Sequence, residues 1–240
     1  MLGFDPRTAV PGVWSLKPED TLGMVFWTKD PTNLIEHQTL LAGHRLKIHV
    51  TVTGWHEVER GAPDLHEGAR LLALAADTFG AENVTWRFSP IPQVSDVKER
   101  FEAILSVAAE HGIKSVFLSF LQENDLIPET RSVEERLQLL NGLAEAAHHL
   151  GVRVYLCNED RLLAGQAELH PNLASGICAP PEDFALPNRG QSPSEGCGCV
   201  LMVDPFTSNE SCTFGCRYCY AADKTLSDKK RNTTRLKVLR

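Results

Sequence analysis

Four times in the first 160 residues a helical stretch runs into a glycine and then into a short, β-branched, apolar stretch. The four joints read "LLAGHRLKIHV", "TFGAENVTWRF", "EHGIKSVFLSF" and "HLGVRVYLC", with Gly43, Gly80, Gly112 and Gly151 at the turning points. Glycine suits the position after a helix, where the backbone turns left-handed without a Cβ clash. The intervening stretches have helical period. In "SDVKERFEAILSVAAEHG", Val97, Phe101, Ile104, Leu105 and Ala108 share one face. Ser132 and Glu135 predict a capping box, with Val133, Leu137, Leu140, Ala144 and Ala147 on the buried stripe. Asp64 with Glu67 is a looser helix start, and "GMVFWT" (23–28) reads as an earlier strand.

Strands alternating with helices imply a parallel sheet with right-handed crossovers. Five such strands are visible. "SGIC" (175–178) marks the end of a short sixth, and "CVLMVD" (199–204) reads as one more. The expected fold is α/β, a partial or full TIM-like (β/α) barrel over residues 1–170. A cysteine-rich segment (171–223) packs on the same domain, and a basic tail (224–240) follows. An open doubly wound sheet is the second choice; no GxGxxG or Walker A loop supports it. In either architecture chemistry gathers at the C-terminal ends of the strands. Those ends carry Lys29, Thr53, Arg87 with Ser89, Ser119 with Gln122, and Cys157 with Asn158 and Glu159.

Composition narrows the function. The 240 residues are 42% hydrophobic and 23% charged, enough apolar material for one sizeable core. A net charge of −7 argues against a dedicated nucleic-acid coat. The exception is the tail from Lys224 to Arg240, with seven basic residues and one acid, Asp228; it is expected to be solvated and frayed. No signal peptide opens the chain, and no apolar run approaches the ~20 residues of a membrane span. The expected location is cytoplasmic, where thiols stay reduced, so the seven cysteines point to metal ahead of disulfides. Trp27 and Trp86 read as core residues. His56-Glu57 and His66-Glu67 lack the second histidine of a metalloprotease helix.

The cysteines divide into two sets. Cys212, Cys216 and Cys219 form a C-x3-C-x2-C group with no histidine after it. Structural zinc closes with four ligands, whereas three thiolates suit a [4Fe-4S] cluster with one iron open to a small molecule. Zinc, or three unligated thiols, is the other reading. Cys157, Cys178, Cys197 and Cys199 remain, enough to close a second site. An auxiliary [4Fe-4S] cluster is the first reading there and structural zinc the second.

The C-x3-C-x2-C spacing with Tyr220 behind it resembles the signature of radical S-adenosylmethionine (SAM) enzymes. More widely, the chain resembles the domain of unknown function 1848 family, a radical SAM-like group with its triad at the C-terminus. The matching stretches are "VFWTKDP" (25–31), "VTWRFSPI" (84–91), "LSF" (118–120), "YLCNED" (155–160), "SGIC" and "EGCGCVLMVDPFTSNESCTFGCRYCYA" (195–221). The resemblance implies an iron–sulfur enzyme whose triad cluster cleaves S-adenosylmethionine, fed by an electron donor such as flavodoxin or ferredoxin. Lys29 and Arg87 are then the catalytic candidates at the barrel mouth, and Arg87, Ser119 and Asn158 the candidates for cofactor binding. Two departures stand out. The chain begins near "DPRTAVPG", without the family's leading strand, and is expected to be shortened there; Ser89 stands where the family tends to have aspartate. "CVLMVD" ahead of the triad is expected to take the place of a first barrel strand, as in a circular permutation. The competing classes are a non-catalytic iron–sulfur or zinc module and an enzyme that repairs or modifies nucleic acid.

Overall fold

A computed structural model describes residues 2–4, 11–13, 15–121, 130–157, 159–164, 168–186, 198–200, 202, 212–219 and 235–239. A short antiparallel pair comes first, β1 (Leu2–Phe4) with β2 (Pro11–Val13). The alternating region follows: β3 (Gly23–Thr28), α1 (Thr32–Glu36), β4 (Leu46–Thr51), α2 (Leu65–Phe79), β5 (Val84–Ile91) and α3 (Val97–Glu110). It continues through β6 (Ser115–Phe120), α4 (Val133–His149), β7 (Arg153–Leu156), α5 (Asp160–Leu163) and β8 (Leu173–Ser175), and a last strand, β9, spans Arg235–Leu239.

The six strands β3 to β8 lie parallel in chain order, and β9 adds antiparallel to β3, giving the order β8-β7-β6-β5-β4-β3-β9. A doubly wound sheet reverses its strand order part-way. This one does not, so the second-choice architecture is set aside. Barrel closure is not seen either. Among the described residues nothing pairs β3 with β8, and the place beside β3 belongs to β9. The described residues form a mixed α/β protein whose six parallel strands wind in one direction.

Successive strand residues face opposite sides, and the two sides differ in chemistry. One face supplies Ile48, Val50, Val84, Trp86, Phe88, Val116, Leu118, Val154 and Leu156 to the main core, against Leu72 of α2, Phe101 and Ile104 of α3, and Leu140 and Leu143 of α4. The five residues assigned to the α3 face are all buried. On α4 the agreement is partial: Leu140, Ala144 and Ala147 are buried, Leu137 is half-buried, and Val133 in the first turn is 46% exposed. The joint glycines all hold positive φ, although a 3-10 turn, not an α-helix, precedes Gly43. Asp64 Oδ1 accepts from the Glu67 amide. The capping box on α4 is complete, with Ser132 Oγ accepting from the Glu135 amide and Glu135 accepting from the Ser132 amide. Ser132→Ala is therefore expected to lower stability by about 1 kcal/mol, read as a lower urea midpoint at unchanged slope.

The second face carries polar and aromatic residues: Trp27, Lys29, His49, Thr85, Arg87, Phe117, Ser119, Tyr155 and Cys157. It is covered by the C-terminal segment, through Cys178, Ala179, Phe184, Cys199 and Val200, which form a smaller core with Val25 and Phe117. Here the structure corrects two expectations. Gly198–Val200 and Met202 belong to no strand. The Val200 amide bonds the Ala179 carbonyl, and Val200 packs face-on against the sheet, so this stretch does not take the place of a first barrel strand. The rest of "CVLMVD" lies outside the described residues. In the basic tail, Arg235–Leu239 is an edge strand and not a frayed end. Its alternation of Arg235, Leu236, Lys237 and Val238 is a strand pattern that the density of charge obscured.

Candidate functional site

Two clusters of side chains occupy the polar face near the C-terminal ends of the strands. The first surrounds Glu59, in the loop after β4. The residue is 3% exposed. Thr53 Oγ1 donates to its Oε2 at 2.8 Å, and Tyr218 OH donates to its Oε1 in a short contact. Lys29 Nζ lies 2.9 Å from Oε2, an ionic contact off the hydrogen-bond direction. The main chain joins the same two segments: Glu59 and Cys216 form an antiparallel bridge, the Gly61 amide bonds Phe214 O, and the Arg217 amide bonds Val58 O. Gly61 makes this approach feasible, because a Cβ there would lie 2.3 Å from Thr213 O. Residues 212–219 are thus docked on the loop that leaves β4, with the Cys219 amide closing a turn onto Cys216 O at 3.0 Å.

The three triad thiols differ in exposure: Cys212 is exposed, Cys219 half-buried and Cys216 buried. Burial pushes the Cys216 thiol up to about 11, against the pull of the Lys29 ammonium. Burial, then the Glu59 carboxylate, pushes the Tyr218 phenol well above its ordinary range. Tyr218 is a neutral hydrogen-bond donor at any ordinary pH.

The second cluster lies across β4, β5 and β7. Arg87 stands opposite Thr51 and Phe117 in the strand register, and Phe117 opposite Tyr155. The Arg87 guanidinium is 6.0 Å from the Phe117 ring centre and lies beside the Cys157 thiol. Cys157 in turn touches Cys178, whose Sγ is 3.2 Å from Cys199 Sγ. Gly176 lets the chain cross the aromatic surface on its way to Cys178; a Cβ there would sit 2.5 Å from Tyr155 Cβ and 2.7 Å from Phe117. His49 fixes Cys178 from beneath. Its buried ring stacks on Trp27 at 5.2 Å, and Nε2–H donates to Cys178 O at 2.7 Å. Burial, then the nearby Arg87 charge, holds its pKa well below the usual range, so the ring is neutral.

The bond to Cys178, then burial, pushes the Cys157 thiol far up. At Cys178 the bond from Cys157 pulls downward, but the bond to Cys199 and burial prevail, and its thiol is pushed up to about 11. Without a cation these are neutral thiols. Among the described residues no three His, Cys, Asp or Glu side chains, those of the triad included, are grouped closely enough to hold a metal ion; Cys157, Cys178 and Cys199 form a chain of contacts. No helix among the described residues is long and apolar enough to cross a membrane.

A model of the family described as "Domain of unknown function (DUF1848)" matches residues 7–221. The chain belongs to the DUF1848 family. No curated protein matches it. The DUF1848 match takes in both cysteine sets and both clusters, and ends before the basic tail.

Of the sequence-derived candidates, the structure brings Lys29 to the triad loop and Arg87 to the Cys157 set. Ser119 Oγ pairs with Ser89 Oγ in a short hydrogen bond on the neighbouring strand. Asn158 and Cys197 lie outside the described residues. Sequence reasoning passed over Glu59, Tyr218 and His49. Tyr218 was within reach, since it sits between two motif cysteines. Glu59 was one of two acids in "WHEVER", and nothing local set it apart.

Proposed function

We propose that this DUF1848 protein is an iron–sulfur protein of radical SAM type, acting on a substrate its sequence leaves unnamed. Cys212, Cys216 and Cys219 would hold a [4Fe-4S] cluster, which when bound supplies the electron that cleaves S-adenosylmethionine. The observation that carries this reading is the docking of the three-cysteine loop on the exit of β4, beside Lys29. That is the end of a parallel sheet where reacting groups collect. The donor set supports the reading by its number: three thiols in one loop, graded from buried to exposed, would leave one iron for a ligand from outside. Lys29 and Glu59 hold the loop, and an electron donor of flavodoxin or ferredoxin type would supply the reducing equivalents.

The second set, Cys157, Cys178, Cys199 and, by its place in the sequence, Cys197, would hold another metal centre. In a tetrahedral zinc site with ~2.3 Å bonds, neighbouring sulfurs lie about 3.8 Å apart, while a cubane spreads its thiolates over separate irons. The 3.2 Å contact between Cys178 and Cys199 is nearer the mononuclear spacing and favours zinc there. Anaerobic reconstitution tests both points. Full loading gives about four irons with one zinc, or about eight irons if the second set takes a cubane. Reduction with added S-adenosylmethionine is expected to release 5′-deoxyadenosine. Its absence from a triad fully loaded with iron would overturn the radical reading.

A further inference from the structure

Arg87 has a cation's problem in this fold. It stands on the polar face of β5, and no carboxylate among the described residues lies within ion-pair distance of it. Its Nη1 is buried with no hydrogen-bond acceptor among the described residues. Its neighbours are Phe117, Thr51 and the Cys157 thiol. A half-buried guanidinium with no carboxylate beside it carries a desolvation cost, and neutral thiols return little of it. Metal binding changes the balance, because cysteines ligate as thiolates and release their protons. Three thiolates around a dication, or around an oxidised cubane core of the same charge, already leave a net negative charge. Such a centre needs a positive partner and N–H groups directed at its sulfurs.

We propose that Arg87 is the built-in counter-ion and N–H···S donor of the metal–thiolate centre formed on Cys157, Cys178 and Cys199. The proposal rests on the metal-binding reading of the second cysteine set. It gives Arg87 a role towards that metal in place of the substrate or cofactor carboxylate expected from the sequence. The residue acts through the thiolates and is a positioning group, not a catalytic one. It also accounts for the side chain's length and shape. The planar guanidinium lies beside the Cys157 thiol, and its Nη1, without an acceptor among the described residues, is free to face a sulfur.

The test uses the full chain with Cys212, Cys216 and Cys219 changed to serine, so that only the second set binds metal. Co2+ is the probe, followed through its thiolate charge-transfer absorption and competed with a chelator. Arg87→Met, which keeps the apolar stem, is expected to weaken Co2+ binding 10- to 100-fold; Arg87→Lys recovers part of the loss. In the metal-free state the methionine variant is expected to melt no lower than its parent, because it removes a half-buried charge with no carboxylate partner among the described residues. Co2+ affinity within twofold of the parent overturns the proposal, as does a lysine variant no better than methionine. A lower metal-free melting temperature also overturns it, since that outcome makes Arg87 a packing residue. If the parent itself shows no thiolate–cobalt absorption, the metal-binding reading of this set fails first, and the two failures are told apart.

Discussion

Replacing Cys219 by alanine is expected to reduce 5′-deoxyadenosine formation to background while leaving the fold intact. Cys219 is half-buried and turns back onto Cys216 O, so its thiol belongs to the loop and not to either core. A substitution at such a position costs within about 0.5 kcal/mol of folding stability. Its loss leaves two thiolates in a loop built to offer three, and two do not retain a cubane against chelation. The variant should lose roughly four irons per chain and keep whatever metal the Cys157 set holds. Cys178→Ala separates the two sites: it disturbs the second centre and leaves the triad iron in place. The measurements are iron and zinc per chain, with 5′-deoxyadenosine by chromatography. A Cys219→Ala protein that still cleaves S-adenosylmethionine would remove the triad from the chemistry altogether.

The parts of the molecule that were legible in the sequence are those fixed by local periodicity. The parallel strands, the helices between them and the Ser132–Glu135 box each announce themselves within about twenty residues. The open edge of the sheet did not. Arg235–Leu239 has a period of two, yet seven basic residues in its stretch drew attention to charge first. "CVLM" has the composition of a buried strand, and composition does not distinguish an element that pairs edge-on from one that lies face-on across a sheet. The cysteine sets could be counted, but not their companions. Tyr218 meets Glu59 across 159 residues of chain, and His49 meets Cys178 across 129. Alternation places His49 on the polar face of its strand; what it touches there depends on a crossover made much later in the chain. Arg87 was found for a sound reason, its place near a strand end. The thiols beside it come from separate segments, which local periodicity does not relate.

The largest stability effect is expected at Glu59. Glu59→Ala removes the acceptor of Thr53 and Tyr218 and the counter-charge of Lys29 in one step. Lys29 and Glu59 are 12% and 4% exposed, so solvent does not screen the loss. A buried cation left alone costs about 3–5 kcal/mol, and the Tyr218 hydroxyl loses its acceptor as well. The damage should be local as well as global. Residues 213–217 are tied to this loop through Glu59 and Gly61, so their amides should exchange with solvent faster than those of β5 or β6. Glu59→Gln is a sharper probe, because it keeps the shape and one acceptor oxygen but turns an amide N–H towards donors. Pairing Glu59→Ala with Lys29→Met completes a double-mutant cycle. If the ion pair matters mainly as a pair, the double variant is expected to be more stable than Glu59→Ala alone, because no charge is then stranded. Urea unfolding of the four proteins gives the coupling energy. A Glu59→Ala cost below about 1 kcal/mol would mean that the contact is ornamental, and that main-chain bonds alone hold the cysteine loop to the sheet.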